Sequence, residues 1–196
     1  MKQVVLASRN SKKLAEMQAL LAPLNWQLRL VSDFTKDAAE ESAPTFIENC
    51  LLKARHAARV SGLPAVADDS GLEVEALEGQ PGVLSARFAG EGAGDAANNQ
   101  KLLRLLDGIP DERRDARFVC VMTFLRGADD PVPLIAQGRW RGRILRQPCG
   151  ANGFGYDPLF FVPTHHCSSA ELEPAVKNGI SHRAQAAAQL LSLLRG

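Results

Sequence analysis

Nowhere in the 196 residues do two cysteines stand at C-x-x-C spacing. The four present, Cys50, Cys120, Cys149 and Cys167, are widely scattered, which argues against a zinc site or a dithiol redox centre. Cys50 and Cys120 have apolar neighbours and read as reduced core residues. No apolar run approaches the ~20 residues of a membrane-spanning helix. The apolar run near Met1, residues 3 to 7 (Gln-Val-Val-Leu-Ala), is too short for a signal peptide. We therefore expect a cytoplasmic protein with no membrane association. Charge of either sign is hardly in excess: 23 Lys and Arg against 22 Asp and Glu leave +1. The chain as a whole is not steered toward nucleic acid or an anionic membrane, and any polyanion site must be a local cluster of bases. Aromatic residues make up only 6% and form no aromatic–basic stripe, which weighs against an RNA surface. No G-x-x-x-x-G-K-[ST] loop, internal repeat or low-complexity tract occurs.

What remains is ordinary globular material, 45% hydrophobic and 23% charged, enough for a substantial core in a single domain over residues 1–196. Residues 3 to 7 predict a buried strand. A helix follows with Leu14, Met17, Leu20, Leu21 and Leu24 on one stripe, ended by Pro23 and Asn25. Residues 27 to 31 alternate as a second strand. Thr45 with Glu48 is a capping box that opens a helix to about Val60. Its apolar face is Phe46, Ile47, Cys50, Leu51, Ala54, Ala57 and Ala58. Residues 79 to 90 read as a long glycine-rich loop, and residues 95 to 107 as a helix with Leu102, Leu105 and Leu106 inward. Residues 115 to 126 alternate strongly as a strand, with a partner over about 132 to 140 before Gly138 and Trp140 lead into a turn. Helices and strands alternate early and strands pair antiparallel later, which predicts a mixed α/β sheet.

Five stretches carry chemistry. Asp68-Asp69-Ser70-Gly71 lies between two β-prone runs and reads as strand, acidic turn, strand. Adjacent acids on extended backbone point to opposite sides, and two like charges so close favour a metal ion or a compensating lysine. Ser8-Arg9-Asn10-Ser11-Lys12-Lys13 joins a strand to a helix, where free backbone N–H groups and a positive dipole end make an anion site within reach of Lys13. Asn49 and Lys53 share one helix face that could look back toward the acids. Gly150 to Pro158 is dense in glycine, and the ring of Phe154, between two glycines, offers a stacking face for a purine. Ser181 reads as an N-cap, placing His182 and Arg183 in a first helical turn with Ala184, Ala187, Ala188, Leu191 and Leu194 as the apolar stripe behind them. Two bases there oppose the helix dipole and point to an electronegative partner, a purine carbonyl or phosphate. As donors they favour a 6-oxo over a 6-amino purine. Each stretch also has a plain structural reading: a solvated turn, a helix cap, a solvated polar face, a structural loop, an exposed basic pair.

Taken in order, Ser8-x-Asn10-x-x-Lys13-x-x-Glu16, Thr45-Phe46-Ile47-Glu48-Asn49, Lys53-Ala54, Ala67-Asp68-Asp69-Ser70-Gly71-Leu72, Pro81-Gly82-x-x-Ser85-Ala86-Arg87, Phe154-Gly155-Tyr156-Asp157-Pro158 and Ser181-His182-Arg183 resemble the inosine triphosphate pyrophosphatase family over nearly the whole chain. The resemblance implies a single nucleoside-triphosphate pyrophosphatase domain with a mixed, twisted α/β sheet, flanking helices and two lobes around a central nucleotide-binding cleft. It implies a homodimer, dependence on Mg²⁺, and hydrolysis of ITP, dITP or XTP to the monophosphate and pyrophosphate. Carried over residue by residue, Ser8, Asn10 and Lys13 hold the triphosphate, with Arg9, Ser11, Lys12 and Lys53 as further substrate-binding candidates. Glu40 or Glu41 and Asp69 serve the metal, and Asp69 accepts the proton of the attacking water. Ser70 lines the substrate site, Phe154, Gly155, Tyr156 and Asp157 enclose the base and sugar, and Lys177, His182 and Arg183 complete the base pocket. Arg9 stands where the family often has a small residue, and Glu173-Pro174-Ala175-Val176 precedes Lys177 where an acidic pair is frequent. A Maf-type pyrophosphatase acting on modified pyrimidine triphosphates, and a non-catalytic nucleotide-binding module, are the competing readings.

Overall fold

Strand β1 (Lys2–Leu6) begins exposed at Lys2 and Gln3 and is then apolar and buried on both faces from Val4 to Leu6, as befits a strand flanked by parallel neighbours. In the computed structural model, which describes residues 1–195, it pairs in parallel with β2 (Trp26–Leu30) on one side and β3 (Ala65–Val74) on the other. The full strand order is β2-β1-β3-β4-β5-β6-β7, with β4 at Asp115–Leu125, β5 at Leu134–Ile144, β6 at Phe160–Val162 and β7 at Cys167–Ser168. The β5–β6 and β6–β7 pairs are antiparallel, so the sheet is mixed. Among the described residues five α-helices accompany it: α1 (Ser11–Leu20), α2 (Phe46–Ser61), α3 (Gly94–Leu105), α4 (Pro174–Ile180) and α5 (His182–Arg195). The chain divides into two compact units, the first from residues 1–69, 120–138 and 183 onward, the second from 70–119 and 139–182.

In the first unit the two-residue period of the strands sorts the core. Val4, Leu6 and Val66 pack with Met17 and Leu21 of the α1 region and with Ala186, Ala187 and Leu190 of α5. The alternate residues Val5, Ala65 and Ala67 meet Ala54, Ala57, Ala58 and Cys50 of α2. Helices α1 and α5 therefore cover one face of β1 and β3, and α2 covers the other. α1 starts where the Asn10 side chain accepts from the N–H groups of Lys12 and Lys13. α2 starts at Thr45 as expected, but not as a full capping box: the Thr45 hydroxyl accepts from the Glu48 N–H and donates to the Glu48 carboxylate at 2.6 Å, so that carboxylate meets the hydroxyl rather than the Thr45 backbone N–H. It stops at Gly62 in the left-handed region, φ 66°, where a residue without Cβ is unstrained. Burial pushes the Cys50 thiol up to about 12, so this cysteine is an inert core residue, as its neighbours predict.

In the second unit Leu72, Val74, Leu102, Leu106, Phe118, Trp140, Tyr156 and Phe160 form one core. Four expectations need correction. The acidic stretch is no turn: β3 runs unbroken through Asp68, Asp69 and Ser70, because the acids are paired with cations and need no solvent. Residues 79 to 90 are not merely loop, since Gly82–Arg87 winds into a 3₁₀ helix. Its Ser85 hydroxyl accepts from the Leu72 N–H at 2.9 Å. β5 continues through Gly138 and Trp140 to Ile144 rather than turning. Leu105 and Ala188 face out; Leu102 and Leu106, with the partly buried Leu103, make the contact of the α3 region, and Leu190 replaces Ala188 in the α5 stripe.

Gly142 shows how closely β6 lies. A Cβ there would stand 2.3 Å from the Phe161 carbonyl oxygen and 2.7 Å from the Phe160 ring. We expect Gly142→Ala to lower stability by about 1–3 kcal/mol through overpacking, read as a drop in the urea midpoint at unchanged m-value.

Candidate functional site

Because β3 is extended, Asp68 and Asp69 leave it on opposite faces, and each face has its own cations. Asp68, 1% exposed, looks toward α1 and α5. Lys13 Nζ lies 2.7 Å from its Oδ1 and Arg183 Nε 3.2 Å from its Oδ2. Arg183 also reaches Glu16 Oε2 at 3.4 Å, so Lys13, Asp68, Arg183 and Glu16 form a row of alternating charge. Burial opposes the Asp68 charge, but Lys13, Arg183 and Lys53 together outweigh it and hold the carboxyl well below the usual range. Arg183 is buried too, and Asp68 and Glu16 more than offset that, so it stays charged.

Asp69 looks toward α2. Lys53 Nζ donates to Asp69 Oδ1 at 2.5 Å and to Glu41 Oε2 at 3.4 Å. Two carboxylates thus converge on one ammonium. Burial pushes the Asp69 carboxyl up, with Lys53 pulling against it; burial likewise opposes the Lys53 charge, and Asp69 and Glu41 raise Lys53 above the ordinary lysine value. A cavity of about 230 Å³ opens beside these groups, lined among others by Ser8, Arg9, Lys13, Glu41, Lys53 and His56. Ser8 accepts from the Asn10 N–H at 3.1 Å, and the Arg9 guanidinium donates to the Lys36 carbonyl. Ser11 and Lys12 are exposed at the start of α1, and Glu40 is exposed while Glu41 meets Lys53.

The glycine-rich stretch belongs to the second unit. Asp157 is buried there, accepting from the Phe154 N–H at 2.9 Å, from the Ser169 hydroxyl at 2.9 Å and from Lys177 Nζ. Lys177 also lies 5.8 Å from the centre of the Phe154 ring. Phe154 is half-buried, whereas Tyr156 is in the core and donates its hydroxyl to the Ser85 carbonyl at 2.9 Å. His182, 3% exposed, lies flat on Phe118, ring centres 4.7 Å apart and 12° between planes. Ser70 is half-buried in β3. The electronegative partner expected for the basic first turn of α5 is, for Arg183, the pair Asp68 and Glu16 of the chain itself. Glu16 was legible only as a motif member; its spacing of three from Lys13 already places both on one face of α1. Ser169 carries no sequence signal that ties it to Asp157.

Across residues 4–193 the chain matches the family model described as Ham1 family. The chain belongs to the Ham1 family. A protein of Vibrio vulnificus (strain YJ016) named dITP/XTP pyrophosphatase is 51% identical over 195 residues, covering 100% of this chain and 98% of that protein. A Pseudomonas aeruginosa protein of the same name is 55% identical over 190 residues, covering 97% and 95%. Among solved structures, a HAM1 protein from Coxiella burnetii matches with a TM-score of 0.90 at 51% identity, covering 100% of this chain and 99% of that one. The Staphylococcus aureus Ham1 protein matches with a TM-score of 0.87 at 38% identity, with coverage of 100% and 99%. The Ham1 fold is thus the mixed sheet described above.

Removing the Asp68 charge leaves Lys13 and Arg183 facing each other across a buried gap. Asp68→Asn should cost about 3–5 kcal/mol of stability at pH 7. Asp68 has its pKa depressed in the folded state, so its contribution is complete above the unfolded value and is lost as pH falls through the folded one. Denaturant titrations of both proteins should therefore give a constant gap from pH 7 down to about pH 5, narrowing only below about pH 4.

Proposed function

We propose that this Ham1-family chain hydrolyses non-standard purine nucleoside triphosphates, namely dITP, XTP and ITP, to the monophosphate and pyrophosphate, keeping them out of DNA and RNA. The observation that carries the reading is the meeting of Glu41, Asp69 and Lys53, of which Glu41 and Lys53 line a cavity together with Ser8, Arg9 and Lys13. Full-length relatives at about half identity bearing the name dITP/XTP pyrophosphatase support the substrate class.

The donor set suits Mg²⁺. Among the described residues no three His, Cys, Asp or Glu side chains gather, but Mg²⁺ is commonly held by one or two carboxylates together with substrate phosphates. Glu41 and Asp69 already converge on a single positive charge, that of Lys53. They would hold the ion, and Glu40, exposed, would not. Bound there, Mg²⁺ supplies neutralisation of phosphate charge. Asp69 orients a water and takes its proton as the new bond to the α-phosphorus forms. The bond from the α-phosphorus to the bridging oxygen breaks, and the electron pair leaves with pyrophosphate. Lys13 and Lys53 offset the charge on that leaving group; an ammonium has three N–H donors, so Lys13 can keep Asp68 and still serve a phosphate. No side chain acts as covalent nucleophile. In the second unit Phe154 stacks on the base, and Lys177, positioned by Asp157, completes the pocket with His182 and Ser70. The first-turn pair of α5 then divides its labour, Arg183 fixing Asp68 and His182 lying on the aromatic cluster. We further propose that the enzyme is a cytoplasmic homodimer.

The test incubates the protein with ITP, XTP, dITP, GTP, ATP and a modified pyrimidine triphosphate, with and without Mg²⁺, and identifies the released product. Pyrophosphate from the first three, only with Mg²⁺, is expected; orthophosphate, cleavage confined to modified pyrimidine triphosphates, or binding without cleavage defeats the proposal. Asp69→Asn should lose about 10²–10⁴ in turnover while its melting curve stays cooperative; near-normal turnover removes Asp69 from its role.

A further inference from the structure

Helix α3 has no assigned part in the reaction, yet its first two turns hold the backbone next to Phe154 from both sides. The Gly155 N–H donates to Asp95 Oδ2 at 2.7 Å. One turn on, Asn99 Nδ2 donates to the Gly155 carbonyl at 2.8 Å and to the Asp95 carbonyl at 2.9 Å. Both contacts require the amide nitrogen, not the oxygen, at that place, so the orientation of Asn99 is fixed. Gly155 sits in the left-handed region, φ 63°, which only glycine adopts without strain. The two peptide planes after Phe154 are therefore pinned to one rigid helix. The same helix grips the Gly82–Arg87 segment and the residues just beyond it: Asn98 accepts from the Ala89 N–H at 2.7 Å and donates to the Ala86 carbonyl at 3.1 Å.

From this geometry we infer that Asp95 and Asn99 are positioning residues for the base-binding loop, fixing the Phe154–Gly155–Tyr156 backbone and thereby how the base is held. Neither need touch substrate. The loop is otherwise held from its C-terminal side, where Asp157 accepts from the Phe154 N–H. Its middle has α3. A freed Gly155 peptide would let the ring of Phe154 swing between conformers, and the base would have to select the competent one, which raises KM before it lowers kcat. This rests on the proposed role of Phe154 as the base platform.

The experiment measures kcat and KM for XTP and ITP, and inhibition by inorganic tripolyphosphate, for the full chain and for Asp95→Ala, Asp95→Asn, Asn99→Ala and Asn99→Asp. Loss of one such hydrogen bond should raise KM about 3- to 10-fold in Asp95→Ala and Asn99→Ala with kcat nearly unchanged. Tripolyphosphate, which has no base, should inhibit all variants as it does the parent. Asp95→Asn keeps an acceptor for the Gly155 N–H and should recover most of the loss. Asn99→Asp sets a carboxylate against the Gly155 carbonyl and should be worse than Asn99→Ala. Unchanged KM in both alanine variants overturns the inference, as does a parallel loss of tripolyphosphate inhibition or a failure of Asp95→Asn to recover, since either marks general loss of structure. A parent protein that cleaves neither XTP nor ITP defeats the proposed function instead, and is recognised before any variant is compared.

Discussion

A carboxylate that is almost wholly removed from water, in the middle of a strand, is the constraint on which the first unit depends. Asp68 cannot be ionised there at a tolerable cost unless cations stand beside it; the effective penalty for a buried ion is several kcal/mol. The chain meets this with residues from two distant stretches, Lys13 on α1 and Arg183 at the start of α5. Each of these helices must sit against β3 at one depth and one rotation for its cation to reach Asp68. The apolar packing of Met17, Leu21, Ala186, Ala187 and Leu190 against Leu6 and Val66 supplies the driving force. That packing is tolerant of small shifts, and the ion pairs are not. The charges therefore choose the register among the many ways two apolar stripes can lie on a sheet.

The neighbouring residue does the opposite job by the same geometry. A strand throws successive side chains to opposite faces, so the residue after a structural acid is delivered to the α2 face, where Lys53 and Glu41 wait. Asp69 is less deeply sealed, 8% exposed against 1% for Asp68, and both of its partners, Lys53 and Glu41, line the cavity. Of two adjacent carboxylates, one is sealed between Lys13 and Arg183 and the other shares Lys53 with Glu41. The difference lies in their surroundings alone, since the side chains are identical. Asp68 and Asp69 are for that reason not interchangeable.

Much of this was legible in the sequence, and the reason is periodicity. The helix stripes of α1 and α2, the Thr45 cap and the alternation of β4 are local signals, and they survive folding because the tertiary environment agrees with them. The opposed directions of Asp68 and Asp69, and the need for compensating cations, also come from extended backbone and like-charge repulsion. What local rules could not show was that the acids lie inside a strand. Asp, Ser and Gly are turn residues by preference, and here Lys13, Lys53 and Arg183, far away in sequence, override that preference. The partner of Arg183 was hidden for the same reason. Two bases in a first helical turn look unfavourable until Asp68 and Glu16 are in place beside one of them, and the other is found stacked on Phe118.

Buried ion pairs are seldom the most stable solution; apolar side chains of equal volume are often neutral or better. The row Lys13–Asp68–Arg183–Glu16 is thus poorly explained as a device for stability. On the proposed phosphate-binding role of Lys13, it is explained by what it does to that residue, whose Nζ is 2.7 Å from Asp68 while its side chain still lines the cavity. A free lysine carries about 2 kcal/mol of rotamer entropy that a phosphate would have to remove on binding. Asp68 removes it on folding, and Arg183 keeps Asp68 from turning away. The buried row converts folding energy into a cation already in position, and its cost in stability is the cost of that preorganisation.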